Sequence, residues 1–119
     1  MAFQTVQAIN ALGNHIITDT SAGATRQIVS SGSSTVYAVY ANNTTGAKAY
    51  VKLYNNASPT IGTTDPDAVL MFPANTARQY SFPEGMSFGT ALTYACVTAG
   101  GTTGTSGANI PVTIIASVS

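Results

Sequence analysis

Turn-forming residues recur along this chain about every eight to twelve positions, and this spacing constrains the fold more than any other feature of the sequence. The segments between the turns are short and rich in aromatic and β-branched residues, which favour strands. At 119 residues the chain has the length of one ordinary domain. We therefore predict an all-β protein with a single-domain antiparallel β-sandwich, of either jelly-roll or immunoglobulin-like topology.

Two neighbouring segments show the strand pattern. Thr35 to Asn42 is largely apolar on both faces, which predicts a strand in the middle of a sheet that is covered on both sides. Asn43 to Gly46 tolerates positive φ and should reverse the chain as a hairpin loop. From Ala47 to Asn55, aliphatic side chains then alternate with lysines and tyrosines, as in a strand. One face of this strand carries Ala49, Val51 and Leu53, and the other carries Lys48, Tyr50, Lys52 and Tyr54.

The second half of the chain contains shorter strands and longer connections. Ser58 to Asp67 contains two prolines and a glycine and is long enough to cross between sheets. Gly100 to Gly107 is rich in glycine and is expected to be a mobile connection, or a segment that becomes ordered against a partner. Strands are predicted at Ala68–Phe72, at Arg78–Phe82 and Met86–Phe88 on either side of a Pro83–Gly85 turn, at Leu92–Val97, and from Ile110 to the end.

The first residues fit two interpretations. Phe3, Val6, Ile9 and Leu12 recur every three positions, which predicts a short helix ending at Gly13. An extended arm that docks on a neighbouring subunit is the alternative. We therefore divide the chain into an N-terminal arm or short helix (1–13) and a β-sandwich domain (14–119). The first twelve residues lack Lys and Arg, so we expect no signal peptide.

Charge is scarce: charged residues make up 7% of the chain, and the four acids and four bases cancel. In an ordinary soluble domain roughly a quarter of the residues are charged. A protein with near-zero net charge has little to keep its copies apart, so we expect association. Four basic residues provide no positive field for nucleic acid, and no apolar stretch approaches the ~18 residues that cross a membrane.

Few residues could perform chemistry. His15 is the single histidine, and on a strand it would share a face with Asp19, but the chain has no Gly-x-Ser-x-Gly elbow to place a nucleophile beside it. We expect no enzyme. Cys96 is expected to be a small buried hydrophobe, and one His with one Cys cannot form a zinc site. Asp65 and Asp67 could hold calcium, but turn-forming acids explain them as well. We expect no metal and no cofactor.

The strand face with Lys48, Tyr50, Lys52 and Tyr54 is the candidate contact surface. Tyrosines alternating with lysines could anchor a protein interface, stack on a sugar, or form an ordinary solvent-facing strand. We predict that the partner interface comprises this strand face and the N-terminal segment, namely Phe3, Val6, Ile9, Lys48, Tyr50, Lys52 and Tyr54.

A longer stretch, from about Val36 to Val118, resembles small virion proteins of tailed bacteriophages. In those proteins a KLYN-type strand leads to a loop with proline, glycine and threonine, followed by an FP-x-G-x-x-F segment and an aliphatic-x-Tyr-Ala strand. This chain departs from the pattern at Ala91, where glycine is common, and in its short Gly100–Gly107 region. The matching residues are Lys52, Leu53, Tyr54 and Asn55; Pro59, Gly62 and Thr63; Phe82, Pro83, Gly85 and Phe88; and Leu92, Tyr94 and Ala95.

The resemblance implies a β-sandwich component of the virion, assembled in the cytoplasm of a bacterial host. It implies a decoration (cement) protein that stabilises the head by bridging capsid subunits, with its own copies (as a homotrimer) and the major capsid protein as partners. A receptor- or carbohydrate-binding module at a tail or fibre tip, with Tyr50 and Tyr54 stacking on sugar, is the alternative.

Overall fold

The computed structural model describes the backbone of residues 4–8 and 14–118 and the side chains of residues 15–117. Over these residues the predicted all-β sandwich is confirmed, and none of them forms a helix that could span a membrane. The strands are β1 (Gln4–Ala8), β2 (Asn14–Ala22), β3 (Gln27–Ser30), β4 (Ser34–Asn43), β5 (Ala49–Tyr54), β6 (Ala68–Phe72), β7 (Thr76–Phe88), β8 (Leu92–Val97) and β9 (Ile110–Val118).

The strands form a five-stranded sheet, in the order β1-β2-β9-β4-β7, and a four-stranded sheet, in the order β3-β8-β5-β6. The antiparallel pairs are nested along the chain: β2 pairs with β9, β3 with β8, β4 with β7, and β5 with β6. This is one long hairpin folded over on itself, which is the jelly-roll arrangement. It decides between the two predicted topologies, with β1 added outside β2.

The inner faces of the two sheets enclose the core. Ile17, Val39 and Ile114 come from the five-stranded sheet, and Val51 and Phe72 from the other. Each of these five side chains is at most 1% exposed. Burying such a side chain stabilises a domain by about 1.5–3 kcal/mol, so packing between the sheets provides the main force that holds the sandwich together.

The loop predicted as a hairpin crosses between the sheets, and the loop predicted as a crossover forms a hairpin. β4 and β5 belong to different sheets, so Asn43–Gly46 is a corner between sheets and the predicted hairpin is wrong. β5 and β6 pair directly, so the long Ser58–Asp67 segment is part of a hairpin loop and not a crossover. The corner is held by Asn43, whose buried Nδ2 lies 2.8 Å from the carbonyl oxygen of Ala47 and 3.1 Å from that of Phe72.

The predicted Pro83–Gly85 turn lies within one strand. β7 runs without a break from Thr76 to Phe88, and its register to β4 jumps from Ser81 to Met86. Gly85 has φ 83°, and a Cβ there would lie 2.3 Å from the Cγ2 of Thr35. The segment is therefore a bulge on an edge strand, where proline and irregular backbone discourage further strand pairing.

Contrary to the sequence prediction, strand β4 is not covered on both faces. The strand is central, between β9 and β7, but Tyr40 on its outer face is 40% exposed. At the N-terminus, residues 4–8 form strand β1 and not a helical turn, and they pair with β2 of the same chain. Val6 lies in β1, whereas Phe3, Ile9 and Leu12 lie outside the described residues.

Candidate functional site

The two central strands of the four-stranded sheet, β8 and β5, bury their outward side chains, although sandwich sheets commonly leave such a face in solvent. The outward Ile28 and Val69 on the edge strands β3 and β6 are exposed. Lys52 and Tyr54 on β5 are 0% exposed, as are Thr93 and Val97 on β8. Their neighbours Val51 and Leu53 belong to the inner core, so alternation along the strand turns Lys52 and Tyr54 outward. The protein therefore has a second buried layer outside the sandwich.

Two loops form the cover of this layer. The two ends of the β5–β6 loop (residues 55–67) are joined by Asp67, whose Oδ2 accepts a hydrogen bond from the Asn55 amide at 2.6 Å. The hydroxyl of Thr93 on β8 fixes this loop to the sheet by donating to the Asn56 carbonyl oxygen at 2.6 Å. The β8–β9 loop (residues 98–109) meets it where the Thr102 hydroxyl donates to Asp65 Oδ1 at 2.7 Å. Gly62 also lies close to Thr105, since a Cβ on Gly62 would be 2.5 Å from the Cγ2 of Thr105.

Lys52 is the charged residue of this layer. Its Nζ donates a hydrogen bond to the carbonyl oxygen of Gly101, at 2.5 Å, in the β8–β9 loop. Among the side chains that the structure describes, no carboxylate forms an ion pair with this amine. Because burial removes water from the ammonium group, the pKa of Lys52 is lowered.

The predicted contact strip is therefore divided. Lys48 is exposed, but Lys52 and Tyr54 are buried, so the expectation of an exposed strand face is wrong at these two positions. A partner interface at these residues stays a prediction. Tyr50 is partly buried beside Gly100, where a Cβ would lie 2.9 Å from the ring. The glycine-rich loop is thus ordered against its own sheet.

The five-stranded sheet has a different outer face. In β2, β9, β4 and the 76–81 part of β7, the outward residues opposite one another include Thr18, Thr113, Tyr40 and Gln79 in one row. The next row contains Ile16, Ile115, Ala38 and Ser81. None of these side chains is charged. We call this surface, defined by these two rows, the neutral face.

Inside the sandwich, Asp19 is a buried carboxylate with two partners. Its Oδ2 accepts a hydrogen bond from the Tyr94 hydroxyl at 2.7 Å, and its Oδ1 accepts one from the Ser21 amide at 3.0 Å. Cys96 is buried as predicted. Burial, with the nearby charge of Asp19, raises the pKa of this thiol to about 12, so it is protonated and unreactive at neutral pH.

His15 and Asp19 are not brought together as a catalytic pair. They lie four residues apart on β2, which is about 13 Å along an extended strand, and both oxygens of Asp19 have other partners. The Nδ1 of His15 is buried and has no hydrogen-bond partner among the described residues. Asp65 accepts a hydrogen bond from the β8–β9 loop, and Asp67 accepts one within its own loop. No group of three His, Cys, Asp or Glu side chains within the described part of the chain could hold a metal.

A shallow groove lies where β4 and β7 pair at one end of the sandwich. It has a volume of about 370 Å³ and is lined mainly by hydroxyl side chains, including Thr35, Ser87 and Ser117. The Ser34 hydroxyl donates to the Ser117 carbonyl, and the Ser117 hydroxyl accepts from the Thr35 amide at 3.0 Å. These hydroxyls therefore hold the strands together at this end.

Comparison of this chain with protein-family models, with curated proteins and with solved structures finds no match.

The sequence prediction missed both surfaces described above. The second buried layer had one signal, the apolar run Leu92–Val97, which is longer than a half-exposed strand needs. The neutral face had no local signal, because Ile16, Tyr40 and Ile115 are far apart in sequence and meet only through the nested strand pairing.

Proposed function

We propose that this protein is a structural component of a virus particle, a decoration (cement) protein of a tailed-phage head that binds its own copies and the capsid shell. The neutral face is the observation that carries the proposal. A surface of four strands with uncharged outward rows has no like charges to repel a second copy, and burying it costs no desolvated ion.

The neutral face can supply part of such a contact. Four strands about 4.8 Å apart, with two rows of outward side chains about 7 Å apart, cover roughly 270 Å². A stable interface takes about 800 Å² from each partner, so residues around this face must supply the rest of the contact. The jelly roll recurs among viral capsid domains, and this supports the proposal as an analogy of fold.

The alternative, a carbohydrate-binding module at a tail or fibre tip, depends on Tyr50 and Tyr54 stacking on a sugar. Tyr54 is 0% exposed, and the ring of Tyr50 lies against Gly100. These two residues therefore do not present a stacking platform while the loops cover the sheet.

Shell binding tests the proposal directly. Purified protein should co-sediment with expanded phage heads that lack it, at a ratio of many copies per head, because a decoration protein occupies repeated positions. Tyr40→Lys, which places a charge in the neutral face, should reduce the bound amount, and Ala57→Lys in the exposed β5–β6 loop should not. Failure of the wild-type protein to co-sediment would contradict the proposal, and a handful of copies at one vertex would favour the tail alternative.

A further inference from the structure

Among the side chains that the structure describes, none places an opposite charge against the buried amine of Lys52. Its side chain is 0% exposed, and its hydrogen-bond acceptor is a neutral carbonyl, that of Gly101. Burying a charged group is costly unless it is paired. With the loop in place, no described negative charge compensates the ammonium group of Lys52. The hydroxyl of Tyr54, two residues along the same face of β5, is also buried and has no hydrogen-bond partner among the described residues.

The cover over Lys52 is lightly attached. Apart from the Lys52–Gly101 bond, the tip of the β8–β9 loop is tied to the other loop by the Thr102–Asp65 hydrogen bond. Gly101 and Thr103 at the tip are exposed, and the tip contributes glycine and threonine but no large apolar side chain. Segments with few buried apolar contacts open at a free-energy cost well below that of global unfolding.

We propose that residues 99–105 are a displaceable cover and that β5 beneath them, with Lys52 at its centre, binds a carboxylate-bearing segment of a partner polypeptide. A carboxylate supplies the charge that Lys52 lacks and can also accept a hydrogen bond from the Tyr54 hydroxyl. Tyr50 and the exposed Val69, opposite Lys52 on β6, supply apolar contacts beside it. The surface lies on the other sheet from the neutral face, so this site is independent of the function proposed above.

Accessibility of Lys52 tests the cover. Acetylation of the folded protein with an N-hydroxysuccinimide ester, mapped by mass spectrometry, should modify exposed Lys48 at least about tenfold faster than Lys52. Gly100→Ala should raise the Lys52 rate about tenfold, because the added Cβ would lie 2.9 Å from the Tyr50 ring and force the tip away. Gly101→Ala is the matched control, since a Cβ there meets nothing within 4 Å. Equal Lys52 rates in both variants would overturn the displaceable cover.

The ligand is tested with fluorescein-labelled hexaglutamate, and with hexaglutamine as its uncharged counterpart, by fluorescence anisotropy. Gly100→Ala should bind hexaglutamate about tenfold more tightly than wild type, because the cost of opening is removed. Adding Lys52→Met should abolish that binding, whereas adding Lys48→Met should leave it intact. Binding that survives Lys52→Met, equal binding of hexaglutamine, or no binding by Gly100→Ala would overturn the assignment of a carboxylate site.

Discussion

At the scale of single residues, the buried polar groups of this protein are of two kinds. Asn43 and Asp19 are fully enclosed, but each makes several hydrogen bonds that fix a corner or a strand. Tyr54 and Lys52 are equally enclosed. Among the described residues, however, the Tyr54 hydroxyl has no hydrogen-bond partner, and the Lys52 amine has one, the neutral carbonyl of Gly101. Unsatisfied buried groups reduce stability, so this outer layer is where the protein gives up stability.

Two tyrosines provide a matched test of this difference. Tyr54→Phe removes a hydroxyl that has no partner within the described part of the chain, and it should raise the free energy of unfolding by about 1 kcal/mol. Tyr94→Phe removes the donor to buried Asp19 and should lower it by about 2 kcal/mol. Urea titrations of both variants measure these values. Loss of stability in Tyr54→Phe comparable to that in Tyr94→Phe would show that the Tyr54 hydroxyl has a partner in solution.

Lys52 should make the stability depend on pH. Its pKa is lowered in the folded protein, so protonation opposes folding: the penalty is complete below the folded pKa and disappears as pH rises towards 10.5. Lys52→Met should therefore be more stable than wild type by about 1–2 kcal/mol at pH 7, and this difference should shrink as pH rises.

The quantity to measure is the difference in unfolding free energy between wild type and Lys52→Met, by urea unfolding between pH 7 and 10.5. Tyr54 and Cys96 have raised pKa values, which make folding less favourable at high pH, but both residues are present in wild type and variant. Lys48→Met, at an exposed position, should show no such trend. A stability difference for Lys52→Met that does not change with pH would mean that the amine is hydrated in the folded state.

At the scale of elements, the sequence predicted strands better than it predicted their surroundings. Alternation placed β5 to within two residues at each end, and the apolar run between turns placed β8 to the residue, because both signals are local properties of the sequence. It could not show that Lys52 faces a loop instead of water, since the cover comes from residues 98–109, far along the chain. The Pro83–Gly85 bulge was mistaken for a turn because proline and glycine serve both structures.

The bulge in β7 depends on Gly85, and substituting this glycine tests it. Gly85→Ala should lower the free energy of unfolding by about 2 kcal/mol or more, because Gly85 has φ 83° and the added Cβ would collide with the side chain of Thr35. Gly89→Ala, three residues from the bulge's end at Met86, is the control, since a Cβ there meets nothing within 4 Å. Thermal unfolding followed by circular dichroism compares the two. Equal stability of both variants would show that the bulge relaxes without cost.

In the molecule as a whole, the nested strand pairing brings uncharged residues that lie far apart in the sequence together on one surface. The turn spacing predicted a sandwich, but two topologies remained open, because which strands pair is decided by contacts distant in sequence. The same pairing gathers the uncharged rows of the neutral face and moves buried Asp19 into the interior. A chain with four acids and four bases thus presents one broad surface without charge.

Sedimentation velocity over a concentration series tests most directly the claim that this surface is made to be covered by neighbouring copies. The wild-type protein should associate as concentration rises, Tyr40→Lys should remain a monomer at the same concentrations, and Ala57→Lys should behave as wild type. A wild-type protein that stays monomeric throughout, or a Tyr40→Lys variant that associates as wild type does, would contradict the account.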